Sequence, residues 1–228
     1  MTASKPPGTV GELVRRRLHE IGRSPEQLAE AVAVPIEYIE DLIDGSRQPP
    51  VPGRTDIYER LTSFLRLRRR DLEAFVNADL ADAPAPRAAS LGTEVRHLLL
   101  ALCDPDTARE LEKRRAQSGG AELVGLISRL LDVVQGAARR ILDDQVGLQL
   151  AAKASGTTYV AMRLRVLDFL EATPGTLTAS ALTEFLKPRI VRWDVELKTG
   201  VMRVVLRPWD RAARRPAPQA QRRVASQD

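Results

Sequence analysis

"SPEQLAEAVAVPIEYIEDLIDG", residues 24–45, holds the local instructions for two short helices and the turn between them. Ser24 is a helix N-cap residue, Pro25 suits the first helical position because that position needs no backbone donor, and Gln27 completes a capping box. Leu28, Ala29 and Val32 supply a buried side, and Ala33–Val34 make the turn. A further helix starts near Pro35, with Ile36, Ile39, Leu42 and Ile43 recurring at helical spacing until Gly45 stops it. The same stretch contains a conflict. From Pro35 to Asp44 it carries Glu37, Glu40, Asp41 and Asp44 and no basic residue.

The flanks read in the same way. Thr9 and Glu12 form a T-x-x-E capping box ahead of Val10, Leu13, Val14, Leu18 and Ile21, and Gly22 ends that helix. Downstream, "SRQPPVPGR" (46–54) is a loop, followed by a helix capped near Thr55 with Ile57, Leu61, Phe64 and Leu65 facing inward. A short helix near Arg70–Leu80 closes the unit through Leu72, Phe75 and Val76.

Residues 10–67 resemble the lambda-repressor-like, or XRE, helix-turn-helix family. The resemblance rests on "LVRRRLHEIGRSPEQLAEAVAVPIEYIEDLIDGSRQP" and "DIYERLTSFLRL" and covers about a quarter of the chain. It implies that the third helix enters the DNA major groove, with exposed residues of its first turns meeting base edges. Carried onto this sequence, the groove-facing positions are Pro35, Ile36, Glu37, Tyr38, Glu40 and Asp41, of which Ile36, Glu37 and Tyr38 are the expected DNA-binding residues, flanked by Gln27 and by arginines that could hold phosphates: Arg15, Arg16, Arg17, Arg23, Arg47 and Arg54. The family often places Gln directly after the cap of its second helix; here Pro25 stands there and can donate nothing. Phosphate neutralisation supplies most non-specific affinity for DNA, and four carboxylates on one short helix oppose it. The residues therefore leave two expectations open. One is a DNA-binding transcriptional regulator acting on double-stranded DNA as a dimer. The other is a non-catalytic adaptor that offers Glu37, Glu40, Asp41 and Asp44 to a basic protein partner.

The rest of the chain reads as mainly α. Residues 81–90 are a Pro/Ala linker between an N-terminal unit (9–80) and a helical unit (91–208). Within the latter, "LGTEVRHLLLALC" (91–103) is a helix, Asp104–Pro105 opens another to about Gln117, and Gly119–Gly120 breaks the chain. One long helix is expected from Ala121 to about Asp144, with Leu123, Leu126, Ile127, Leu130, Leu131, Val134, Ala138, Ile141 and Leu142 on its apolar side. That breadth needs cover, from a second copy in a homodimer or from the helices after Gln145. Further helices are predicted near 158–172 and 178–188. "WDVELKTGVMRVVL" (193–206) reads as a terminal β-hairpin turning at Lys198–Gly200.

Charge locates the basic character of the protein. The chain of 228 residues has a net charge of +5, but residues 211–228 alone hold five arginines against Asp228, leaving +1 for the remainder. Residues 209–228 read as a disordered Arg-rich tail. Cys103 is the only cysteine, so no intrachain disulfide forms and a cytoplasmic setting is expected. No apolar run approaches the ~20 residues of a membrane span. Two histidines, His19 and His97, and one cysteine cannot build a usual zinc site, and no nucleophile–base spacing or phosphate loop is present. No enzyme, cofactor or metal is expected.

Overall fold

The computed structural model describes residues 8–82, 92–118 and 121–207. They form a mainly helical molecule with one small antiparallel hairpin near the C-terminus. The expected linker and the Arg-rich tail lie largely outside these residues; Ala81 and Asp82 belong to a helix.

Both capping boxes are in place. In α1 (Val10–Ile21) the Thr9 hydroxyl accepts the Glu12 amide while the Glu12 carboxylate accepts the Thr9 amide, and Gly22 closes the helix at φ 62°. Ser24 and Gln27 do the same for α2 (Pro25–Val32), which ends on Ala33 in the left-handed region at φ 58°. α3 (Ile36–Asp44) follows after a tight turn, and Gly45 ends it. Gly11 is buried where α1 crosses α3, and a Cβ there would meet the Ile43 carbonyl oxygen at 2.3 Å. α4 (Ile57–Phe64) and α5 (Arg69–Asp82) complete this unit; the Val10 amide donates to Asp79 at 2.7 Å and ties α5 to the start of α1.

The second half begins with α6 (Thr93–Leu100) and α7 (Pro105–Ser118). The long apolar run is not one helix. α8 (Ala121–Ala138) stops before Arg139, α9 (Arg140–Asp143) is a single turn, and α10 (Gln145–Ala154) starts behind an Asp144 cap. Leu123, Leu126, Ile127, Leu130, Leu131, Val134, Ala138, Ile141 and Leu142 are all covered within the chain, none more than 6% exposed, while Val133 on the other side is 43% exposed. The cover that a second copy was invoked to supply comes from the chain's own helices, chiefly α7, α10 and α11 (Tyr159–Glu171).

α12 (Ala179–Ala181) runs into a π-helical turn over Leu182–Leu186. The hairpin pairs β1 (Ile190–Glu196) with β2 (Val201–Leu206). β1 begins three residues earlier than the alternation implied, because Ile190 and Trp193 both face the core. Trp193 is fully buried, and its indole N–H donates to Leu99 O at 2.8 Å. The buried side chains of both halves form one continuous cluster.

Candidate binding face on the third helix

α3 has two sides of opposite chemistry. Tyr38, Ile39 and Leu42 are buried at 2% exposure or less. Glu37, Glu40, Asp41 and Asp44 follow an i, i+3, i+4, i+7 spacing, which sets them in one stripe, and all four are exposed. Asp44 pairs with Arg15 at 3.2 Å. Glu37, Glu40 and Asp41 have no cation within ion-pair distance among the described residues. Such a stripe works against its own helix. Like charges at these spacings repel, and Asp41 and Asp44 sit toward the negative end of the helix dipole. A local rule broken on an exposed face, without a compensating contact, is characteristic of a binding surface.

Of the expected DNA-flanking cations, Arg15 reaches this stripe, at Asp44; the others are placed elsewhere. Arg17 is half-buried and serves α4, where its guanidinium donates to Leu65 O at 3.0 Å and Arg66 O at 3.2 Å. Gln27 is committed to its capping box, accepting the Ser24 amide at 3.2 Å. Arg16 and Arg23 are exposed on α1 and just past its end, with Glu20 at 3.9 Å from Arg16. Ile36 is half-buried against the core. Tyr38 departs most from expectation: it lies inside the molecule, with the Arg47 guanidinium 4.4 Å above its ring.

The C-terminal half docks beside Tyr38, on the α2–α3 turn and on Arg47. Arg163 of α11, fully buried, donates to Ala33 O at 3.1 Å, Val32 O at 3.4 Å and Asp56 Oδ1 at 2.7 Å. It thus satisfies the carbonyls left open at the α2–α3 turn. Arg47 pairs with Asp168 at 3.0 Å, Arg54 pairs with Asp132 at 3.3 Å, and Arg139 donates to Gly53 O at 2.6 Å. Gln135 joins α8 to the end of α11 by donating to Phe169 O and Ala172 O, both at 2.8 Å. The seam is polar and incompletely matched. Tyr38 OH, Thr55 Oγ1, Arg163 Nη1 and Glu171 Oε1 are shut off from solvent with no hydrogen-bond partner. Burial pushes the Glu171 carboxyl up to about 7, opposed by Arg47 and Arg54 and reinforced by Asp168. Burial also raises the Tyr38 hydroxyl, with Glu171 adding to the effect.

No family model, curated protein or solved structure matches the chain.

Chemistry elsewhere is sparse. Cys103 is buried, and burial pushes its thiol up to about 11, where it is a poor nucleophile. His19 and His97 are exposed and on separate elements. Among the described residues no three metal-ligating side chains come together, and no helix is long and apolar enough to cross a membrane. Sequence reasoning missed Arg163, Asp168, Glu171, Asp132 and Arg139. Their spacing within α8 and α11 resembles ordinary surface charge, and only the long-range docking of those helices gives them partners.

Proposed function

We propose that this protein is a non-catalytic regulatory adaptor that binds a basic protein segment through the acidic stripe of α3. The observation that carries the reading is the pairing pattern. Among the described residues Glu37, Glu40 and Asp41 are exposed without a cation, while the nearby guanidinium groups of Arg47 and Arg54 are held by Asp168 and Asp132. A duplex approaching this face would meet carboxylates where phosphate neutralisation is needed, whereas a lysine- or arginine-rich segment would find three unpaired acceptors. A gel shift on random duplex at low salt tests it, using full-length protein with Arg211, Arg214, Arg215, Arg222 and Arg223 changed to Gln. The adaptor reading expects no shift, and it expects a hexa-lysine peptide to bind salt-dependently and to be lost with Glu37→Gln/Glu40→Gln/Asp41→Asn. A robust duplex shift from the tail-neutral protein overturns it.

One observation favours the second reading, a DNA-binding regulator built on a lambda-repressor-like helix-turn-helix. Arg47 and Arg54 stand on the loop after α3, and their ion pairs are partly exposed, 27% and 48% for Arg47–Asp168. Undocking of α8 and α11 would return both cations to the edge of the third helix. Under that reading Asp132→Asn/Asp168→Asn raises duplex affinity at least ~10-fold, since two phosphate contacts are released. Unchanged affinity removes it.

A further inference from the structure

The two edges of the hairpin differ. β1 is closed on its outer side: the Trp193 amide donates to Leu102 O at 3.3 Å, Cys103 bridges to Trp193, and the Asp104 amide donates to Asp194 at 2.9 Å. The outer edge of β2 has no backbone partner among the described residues. Which of its groups point outward follows from β1. Trp193 is opposite Val204, and because the Trp193 amide turns away from β2, these two form a non-hydrogen-bonded pair. The amide and carbonyl of Val204 therefore face the open side, as do those of Met202 and Leu206, two residues to either side. Arg207 agrees, since its amide turns inward to Arg189 O at 2.6 Å.

From this edge we infer that the protein forms a homodimer by antiparallel pairing of β2 with β2 of a second copy, centred on Val204. Charge selects the register. Pairing through the outward groups allows a two-fold axis at Arg203, Val204 or Val205. An axis at Arg203 sets that arginine against its own symmetry mate, and an axis at Val205 sets Arg203 against Arg207; like charges directly opposite are unfavourable. An axis at Val204 uses all three outward residues and sets Arg203 against the second copy's Val205. It also sets Met202 against the second copy's Leu206 on the side that packs on the core, so the apolar layer continues across the axis. On the other side Val201 and Val205, 49% and 53% exposed, gain neighbours. Each Arg203 already faces Asp194 of its own chain, which offsets its charge. Because the β1 edge is closed, pairing ends at a four-stranded sheet and two copies instead of running on as a fibre.

This inference is independent of what α3 binds. Its test is the mass of the full-length protein by sedimentation between about 1 and 100 µM. The wild type is expected to be a concentration-dependent dimer. Val204→Pro removes the on-axis donor without touching the bonds to β1, a position where an edge strand tolerates proline; it should be a folded monomer whose melting temperature no longer depends on protein concentration. Should Val204→Pro fold poorly, the charge variants decide. Val205→Glu, placed against the second copy's Arg203, should tighten the dimer and Val205→Arg should loosen it, each about tenfold through two symmetry-related contacts. A wild type that stays monomeric, a folded Val204→Pro protein that still dimerises, or equal effects of Glu and Arg at 205 overturns the inference.

Discussion

α3 and α11 are both helices that carry charge, and they dispose of it in opposite ways. Arg163 of α11 is buried with its Nε and Nη2 donating to two carbonyls and a carboxylate, and its Nη1 is left without a partner among the described residues. Taking an ion out of water costs several kcal/mol, so a buried charge persists only when matched. The carboxylates of α3 are exposed, and three of them are unmatched among the described residues. Matched and buried charge belongs to the architecture. Unmatched charge on an open face holds nothing in place among the described residues. The same contrast explains why α3 can be acidic at all: its place is fixed by Ile39 and Leu42 below and by the close crossing of α1 at Gly11, not by its exposed side.

The largest effect that contrast predicts is at Arg163. Arg163→Met leaves the carbonyls of Val32 and Ala33 without their donor and removes one of the two arginines on Asp56; the other, Arg60, remains at 2.9 Å. Urea denaturation should show a loss of about 3–5 kcal/mol, the usual cost of breaking a buried pair from one side. A loss under ~1 kcal/mol would show that α11 does not hold the turn. Next comes Glu171. Its folded value of about 7 lies above the ordinary 4.5, so the folded chain keeps the proton to higher pH than the unfolded chain does. The stability this brings is complete below 4.5 and is lost as pH rises through 7. Glu171→Gln keeps the neutral shape, and it should be more stable than the wild type by about 2–3 kcal/mol at pH 8 and indistinguishable from it at pH 4. Equal pH dependence in the two proteins would place that carboxyl in solvent.

A third, smaller effect concerns glycines in helices. Replacing Gly by Ala in an exposed helix interior gains up to ~1 kcal/mol, and Gly136→Ala on α8, with open space around it, should do so. Gly11→Ala should do the reverse and cost about 1–3 kcal/mol, because its Cβ would strike the backbone of α3. Melting temperatures that move in the same direction for both would mean that α1 and α3 are not in close contact.

Legibility in the sequence followed the range of the interactions. The first three helices could be read because caps, periodic apolar residues and stop glycines act within a few positions: Thr9–Glu12, Ser24–Gln27 and Gly45 fell where their elements begin or end. α8 to α10 could not, since "AARRILDDQ" (137–145) keeps a helical apolar period through Ile141 and Leu142, while the helix is interrupted at Arg139, itself still right-handed, and again at Asp144. α11 hid its role for another reason. "YVAMRLRVLDFLE" is covered on more than one side, so it lacks a clean polar stripe, and Arg163 looked like any other arginine of the helix. At the candidate site the acidic stripe was visible in full. The fate of Tyr38 was not, because the group that covers it, Arg47, is itself held by Asp168, more than a hundred residues away.

The smallest change in stability is expected where the change in binding should be greatest. Glu37→Gln/Glu40→Gln/Asp41→Asn removes three exposed carboxylates that make no ion pair, so the folded state loses no contact. It sheds the repulsion among neighbours at i, i+3 and i+4, which is worth about 0.2–0.5 kcal/mol per pair. The variant should therefore match or slightly exceed the wild type in urea. The same three changes in Arg163, Asp56 and Arg60 would dismantle a seam. If the acid variant instead lost more than ~1 kcal/mol, its carboxylates would be holding the fold, and the division between matched and spare charge on these two helices would fail. If stability is kept and affinity for a lysine-rich segment falls, the stripe is a surface maintained against the helix's own electrostatics, which only an external partner repays.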